Sequence, residues 1–344
     1  MNRYYPPDNH KSSQTAYSLL LILAAFIWGT AFVAQSSAGS AVGSYTYNCV
    51  RSLVGALVLT PVIAFFDRKG RTVRKPVTRE EKKLLVKGGV CVGVVLFFAS
   101  NTQQLGIALG TPAGKAGFLT ACYMTLVPVL GIVIKKKTHW YVWLAILLAV
   151  IGLYFLCLPK GAVQSGLLRL SASDSFVLLC ALAYAVHILT VDHFSPRVDP
   201  IRLSRIQFLT CAVLSAIPMV LLDMGLITQG NSALSETLRH LAGTGGTGSL
   251  KAWISSLQIP GVWFSMLYTG LFSSGVAFTL QVVAQAKVEP AKASVYMSLE
   301  SVFSVLSGWL ILGDRLSFRE LFGCGMIFIA VLLAQGIGIG KHTA

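Results

Sequence analysis

The chain has 344 residues, 54% of them hydrophobic and only 12% charged, with a formal net charge of +15. A soluble domain carries about 25% charged residues and a disordered chain more, so both classes are excluded. The basic surplus would suit nucleic acid, but Lys and Arg sit in short clusters between long apolar runs, the pattern of membrane loops.

A helical span needs about 20 mostly apolar residues to cross roughly 30 Å of hydrocarbon. Ten segments qualify in chain order, near 15–37, 44–66, 86–108, 112–134, 139–158, 173–192, 202–222, 262–286, 290–312 and 319–339. The first follows Arg3 and Lys11, as a signal peptide would. Its uncharged run from Ser12 to Val50 far exceeds a signal core of about 7–15 residues, so it is expected to stay as a span. Stretches 88–114, 116–134 and 252–286 contain no charge at all. The seventh span starts beside Arg202 and Arg205, and the ninth contains Glu300.

Placing the N-terminus in the cytoplasm puts 19 Lys and Arg on that side, including the cluster in 67–83 and Lys135–Lys137, against 7 on the other. Positive-inside bias therefore predicts both termini in the cytoplasm and a multi-pass protein of the cytoplasmic membrane. All seven cysteines fall within expected spans, away from metal-ligand spacing, and read as small packing residues.

The sequence also repeats itself. An offset of 156 residues pairs Ala25 with Ala181, Trp28 with Tyr184, Arg51 with Gln207, Ala56 with Ala212 and Asp67 with Asp223. Later an offset of 178 pairs Gln103 with Gln281 and Pro112 with Pro290, so an insertion is expected in the outer loop 223–259. The expected fold is all-α and membrane-integral, with ten helices in two five-helix units, 1–158 and 171–340. Five is odd, so the second unit enters the membrane from the opposite side. Such inverted-topology repeats suit a secondary transporter working by alternating access.

Several segments carry a family resemblance: Ala24-Ala-Phe-Ile-Trp-Gly29, Arg51, Ala116-Gly-Phe-Leu-Thr120 with Leu126-Val-Pro128, Ala181-Leu-Ala-Tyr184, Ser298-Leu-Glu-Ser-Val-Phe303 and Gly308-Trp-Leu-Ile-Leu-Gly-Asp314. In their order and spacing, from about 17 to 338, the chain resembles the EamA family of the drug/metabolite transporter superfamily. The resemblance implies a ten-helix carrier of small metabolites or drug-like compounds, often an exporter. Ser301 departs from it, standing where the family often has proline, and so does Lys135–Lys137, where the second half has Gly313-Asp314.

Charges within spans are costly, by about 2.5–3.5 kcal/mol on insertion scales, so each needs a reason. Glu300 lies ten residues past Pro290, about 15 Å along a helix. It reads as a proton-carrying or cation-binding carboxylate, or as a packing glutamate bonded to its neighbours. Arg51 suits a substrate carboxylate or phosphate; snorkelling or pairing with Glu300 are its alternatives. Lys115 reads as an interfacial anchor. His187 is a candidate proton relay to Glu300, or a buried neutral histidine. Among the amides Gln35, Asn48, Asn101, Gln103, Gln104, Gln207, Gln281 and Gln285, the repeat-related Gln103 and Gln281 are the best cavity candidates. Trp28 and Tyr184 lie deep in their spans and are candidate cavity walls. Gly106, Gly110 and Gly114 recur at the spacing of close helix approach.

No Gly-x-Ser-x-Gly elbow, phosphate loop or His-Glu-x-x-His motif is present, so neither an enzyme nor ATP-driven pumping is expected. No cofactor, metal or nucleic acid is implied. The expected partners are a small-molecule substrate, the lipid bilayer and coupling protons, in a monomer or homodimer. A channel-like permease and a membrane-embedded enzyme or scaffold are the rival readings.

Overall fold

The computed structural model describes residues 10–38, 41–72, 74–111, 113–158, 170–227, 249–312 and 317–335, and within these every regular element is helical. The first half comprises α1 (His10–Ala38), α2 (Ser44–Arg68), α3 (Arg79–Ala108), α4 (Ala113–Ala121), α5 (Tyr123–Val133) and α6 (Trp140–Cys157). The second comprises α7 (Ala172–Phe194), α8 (Pro200–Pro218, ending in a π-turn Met219–Asp223), the short α9 (Leu250–Leu257) and α10 (Pro260–Tyr268). A π-segment Thr269–Phe278 leads into α11 (Thr279–Gln285). Then follow α12 (Pro290–Met297), α13 (Leu299–Ser307, with a π-turn Gly308–Leu312) and α14 (Phe318–Ala334). Most of the expected outer-loop insertion, residues 228–248, lies outside the described residues, as does Gly313-Asp314.

Among the described residues, eight helical stretches are long and apolar enough to cross a membrane: Ser44–Arg68, Arg79–Ala108, Lys115–Val133, Trp140–Cys157, Ala172–Phe194, Pro200–Asp223, Pro260–Gln285 and Pro290–Ile311. The first and last expected spans correspond to α1, with its apolar stretch Thr15–Ala31, and to the 17-residue α14.

Helix starts follow local chemistry. Thr78 with Glu81, Ser171 with Asp174, and Ser317 with Glu320 form capping boxes at α3, α7 and α14. Proline opens α8, α10 and α12, where its missing N–H is no loss. Asp199 caps α8 by accepting from the Arg202 N–H at 2.8 Å, and burial lifts its carboxyl above the ordinary carboxylate range.

Two spans are interrupted near mid-length. One breaks at Cys122, between α4 and α5, and the other at Ser298, between α12 and α13. The second break stands without proline at Ser301. The Ser294 and Ser298 hydroxyls instead donate to the carbonyls of Ala291 and Val295, at 2.8 and 2.7 Å, and such back-bonding bends helices.

The strongest helix pairings recur when the two halves are exchanged. α3 lies on α7 and α8, just as the π-segment lies on α1 and α2. The α4–α5 span packs against α7, and α12–α13 against α1. Two contacts map onto themselves, α2 with α8 and α6 with α14, and the two interrupted spans meet through α5 and α12. Small residues allow the approach: a Cβ added at Gly29 would come within 2.7 Å of the Phe303 backbone, and one at Gly323 within 2.8 Å of the Leu156 nitrogen. Gly270, in the glycine-serine stretch 270–275, is pressed likewise against Val54 and the Arg51 carbonyl of α2.

Ion pairs sit at the helix ends. Asp67, closing α2, takes two hydrogen bonds from Arg202 at the start of α8, at 2.6 and 2.8 Å. Its repeat mate Asp223, closing the α8 span, accepts from the Thr46 N–H and hydroxyl at the start of α2, both at 2.7 Å. Lys115 is not the interfacial anchor expected from its place at a span end. It is buried and paired with the wholly buried Asp174 at 2.5 Å, because the N-terminus of α7 folds directly over α4. Lys136 pairs with Asp192 at the other end of the same two spans. Among the described residues the cysteines are free thiols.

Removing one partner of a buried pair strands the other, at a cost of about 3–5 kcal/mol. Asp174→Ala is therefore expected to lower stability by about that amount, while the double variant Lys115→Met, Asp174→Leu recovers most of it. Thermal unfolding of the purified protein in detergent measures both.

Candidate functional site

Among the described residues, Arg51 and Glu300 are charged side chains that lie away from the ends of their spans. Arg51 is 6% exposed on α2, so it does not snorkel. Its Nη1 donates to Gln35 Oε1 and its Nη2 to Ser100 Oγ, both at a long 3.4 Å. Gln35 is itself held by donating to Gln104 Oε1 at 2.8 Å. No described carboxylate pairs with Arg51, and in particular Glu300 does not. A guanidinium has five donors, so this one retains capacity for a bidentate acceptor.

Glu300 lies two residues beyond the Ser298 break. Its chain neighbours Leu299 and Val302 are 1% and 0% exposed, yet Glu300 itself stays partly accessible. It is therefore not sealed among packed side chains, and no described side chain bonds to it. Tyr123, Cys180 and Tyr184 lie within electrostatic reach of its carboxyl.

Tyr184 joins the two charges. Its half-buried ring lies 6.3 Å from that of Tyr123, its hydroxyl is within hydrogen-bonding reach of Ser100, and both Arg51 and Glu300 act on it electrostatically. Its repeat mate Trp28 stands edge-on to Phe278, with ring centroids 4.9 Å apart. Side chains of α1, α2, α3, α7 and α13 thus bring a cation, Arg51, and an anion, Glu300, to the same tyrosine. Such an arrangement can bind a small polar molecule bearing both charges. No cluster of metal ligands occurs among the described residues.

Other expected residues are placed differently. Gln103 is half-buried and donates to Thr120 at 3.1 Å. Gln281 is buried, donating to Gln285 at 2.8 Å, and Gln285 in turn donates to the Ile188 carbonyl. The two repeat-related amides therefore sit in different surroundings. His187 is fully buried against Gln207, 3.3 Å away, and Phe278, and it makes no direct contact with Glu300. His139 and His193 are exposed at helix ends, stacked on Tyr141 and bonded to Arg197 respectively.

Sequence reasoning did not single out Gln35, Gln104, Ser100 or Tyr123 for this site. The two glutamines had a signal, as amides within spans. Ser100 and Tyr123 had none, since serine and tyrosine are ordinary in membrane helices.

Comparison with known proteins agrees with this architecture. The model of the EamA-like transporter family matches twice, over residues 15–158 and 171–335. An "Uncharacterized transporter" of Archaeoglobus fulgidus is 25% identical over 316 residues, covering 92% of this chain and 84% of that protein. The "Uncharacterized transporter YcxC" of Bacillus subtilis is 24% identical over 250 residues, 72% of this chain and 71% of its own. One crystal structure shares the fold with a TM-score of 0.66 at 16% identity, covering 94% of this chain and 99% of the other.

A carboxylate held without a partner in an apolar interior is destabilising. Glu300→Gln is expected to leave the fold intact and raise stability by about 1 kcal/mol, as substitutions that relax a functional site often do. Thermal unfolding in detergent, beside Asp174→Asn as a paired-carboxylate control that loses stability, tests this.

Proposed function

The chain belongs to the EamA-like transporter family and is a multi-pass membrane transporter, and we propose that it is a secondary carrier moving a small organic metabolite outward across the cytoplasmic membrane by alternating access. The observation carrying this reading is the pair of interior charges that no oppositely charged side chain pairs with among the described residues, Arg51 and Glu300, set around Tyr184. Burying such charges is costly, and a membrane protein keeps them where they meet a substrate or an ion.

In this mechanism Arg51, aimed by Gln35 and Ser100, holds an anionic group of the substrate through parallel N–H donors. Glu300 holds a cationic group or carries the coupling proton. Trp28, Tyr184 and Gln103 shape the cavity between them, and Gln281 and His187 stand on the path toward the cytoplasm. The two five-helix units, ten spans in all, insert with opposite topology and both termini in the cytoplasm. The exchange-symmetric packing and the reciprocal contacts of Asp67 and Asp223 support that arrangement. In such a pair of units one conformation becomes the other by exchanging the roles of the halves, which opens the central site to each side in turn. The protein's contribution is therefore positional: two fixed charges at a set separation, and a bundle with two packings.

Uptake into sealed vesicles, with and without a pH gradient, across a panel of radiolabelled amino acids and other metabolites, tests the reading. Saturable flux is expected, with Glu300→Gln abolishing its gradient dependence. Arg51→Lys, which keeps the charge but loses the planar fork, is expected to weaken apparent affinity about tenfold or more. Full affinity in Arg51→Lys, or unchanged gradient dependence in a folded Glu300→Gln protein, overturns the assigned roles.

A further inference from the structure

On the side of the bundle away from Arg51, a second polar group is buried without enough partners. His187 and Gln207 are 0% exposed and Gln281 is 2% exposed. His187 Nε2 meets Gln207 Oε1 at 3.3 Å, and Gln281 Nε2 donates to Gln285. That leaves His187 Nδ1, Gln207 Nε2 and Gln281 Oε1 with no partner in the protein, and Trp28 Nε1 beside them is likewise unpartnered.

These atoms are not scattered. The Phe278 ring lies 4.9 Å from Trp28, 6.0 Å from His187 and 5.8 Å from Phe208, the neighbour of Gln207. Gln281 lies one turn beyond Phe278 on the same helix, so the orphan atoms gather around one aromatic side chain where α1, α7, α8 and α11 meet. Repeat symmetry gives the place a meaning. Gln207 is the mate of Arg51, and by the later offset Phe278 is the mate of Ser100. The cluster is therefore the counterpart, in the other half, of the Arg51 end of the central site, with the charge replaced by neutral polar groups.

Buried polar groups in folded proteins are almost always satisfied, by protein or by ordered water, and an internal water typically makes about three hydrogen bonds. The cluster offers donors (Gln207 Nε2, Trp28 Nε1), an acceptor (Gln281 Oε1) and an imidazole nitrogen able to be either. No charged side chain bonds to any of them among the described residues. An ion would be left uncompensated there; water would not.

We infer that His187, Gln207 and Gln281 form a buried water site, the hydrated cytoplasmic half of the path that leaves the central site. The inference rests on the proposed transport function for its role on the path, but not for the presence of water. In that role it lets a polar substrate exchange hydrogen bonds with water before meeting the cytoplasm, with Phe278 as the apolar surface on which the water rests.

Radiolytic footprinting of the full-length protein in lipid vesicles tests this, because hydroxyl radicals made from bound internal water oxidise the side chains it touches. Phe278, though only 6% exposed, is expected to be labelled in the wild type, and the labelling is expected to be lost in Gln207→Leu. A second variant, His187→Phe, guards against a folding defect in the first. An unlabelled wild-type Phe278, or labelling unchanged in both folded variants, overturns the inference. Apolar replacements that simply stabilise the protein and leave flux of the amino-acid panel intact remove the site from the path. If Phe278 is labelled but the wild type carries no flux of any probe, the water site stands and the transport reading falls.

Discussion

In an apolar interior a charge must find an opposite charge, a helix end or water, and this requirement sorts every ionic group in the bundle. Asp67, Asp174, Asp192 and Asp223 sit at helix ends, each held by a neighbouring helix. With their charges satisfied they fasten the spans they join. Arg51 and Glu300 lie within their spans, Arg51 held only by the neutral Gln35 and Ser100 and Glu300 by no described side chain. The same penalty that makes the first group structural makes the second group functional candidates, since only a ligand, an ion or a wetted cavity compensates them.

The two halves share a packing pattern but not the same fasteners. α7 is pinned to the α4–α5 span at both ends, by Lys115–Asp174 and by Lys136–Asp192. In the counterpart contact of α1 with α12–α13, Ser18 stands at the repeat position of Asp174 and is within reach of the Tyr296 hydroxyl. Lys292, near the start of α12, pairs with Glu289 at 3.6 Å and lies over the Tyr141 ring. There Gly29 lets α1 sit directly on the Phe303 backbone. One interface is thus ionic and the other steric. Contacts of small residues slide more readily than buried ion pairs separate, because sliding exposes no uncompensated charge.

Much of this was legible before any fold was known. Span positions followed from run length, and the structure places helices at each, because hydrocarbon-length apolar runs have no other stable form in a bilayer. The pairing of Asp67 with Asp223 by sequence offset marked two residues that do the same job at opposite ends of one helix pair. Lys115 was misread for a physical reason: its partner Asp174 is 59 residues away, and nothing local distinguishes a snorkelling lysine from one covered by another helix. The likeness of Gln103 and Gln281 was equally incomplete, since a shared register does not fix whether a side chain meets a neighbouring amide or a cavity.

The amino-acid sequence by itself determined a membrane-embedded helical chain in two related halves, because apolar run length, loop charge and internal repeat are all properties of residue order. It also isolated Arg51 and Glu300, since a charge within a span is conspicuous in one dimension. Only the tertiary structure decided that these two charges do not pair, that Tyr184 lies between them, and that Lys115 and His187 are engaged elsewhere. Those outcomes depend on which faces of helices far apart in the chain come together, and that choice is made by packing many small contacts at once.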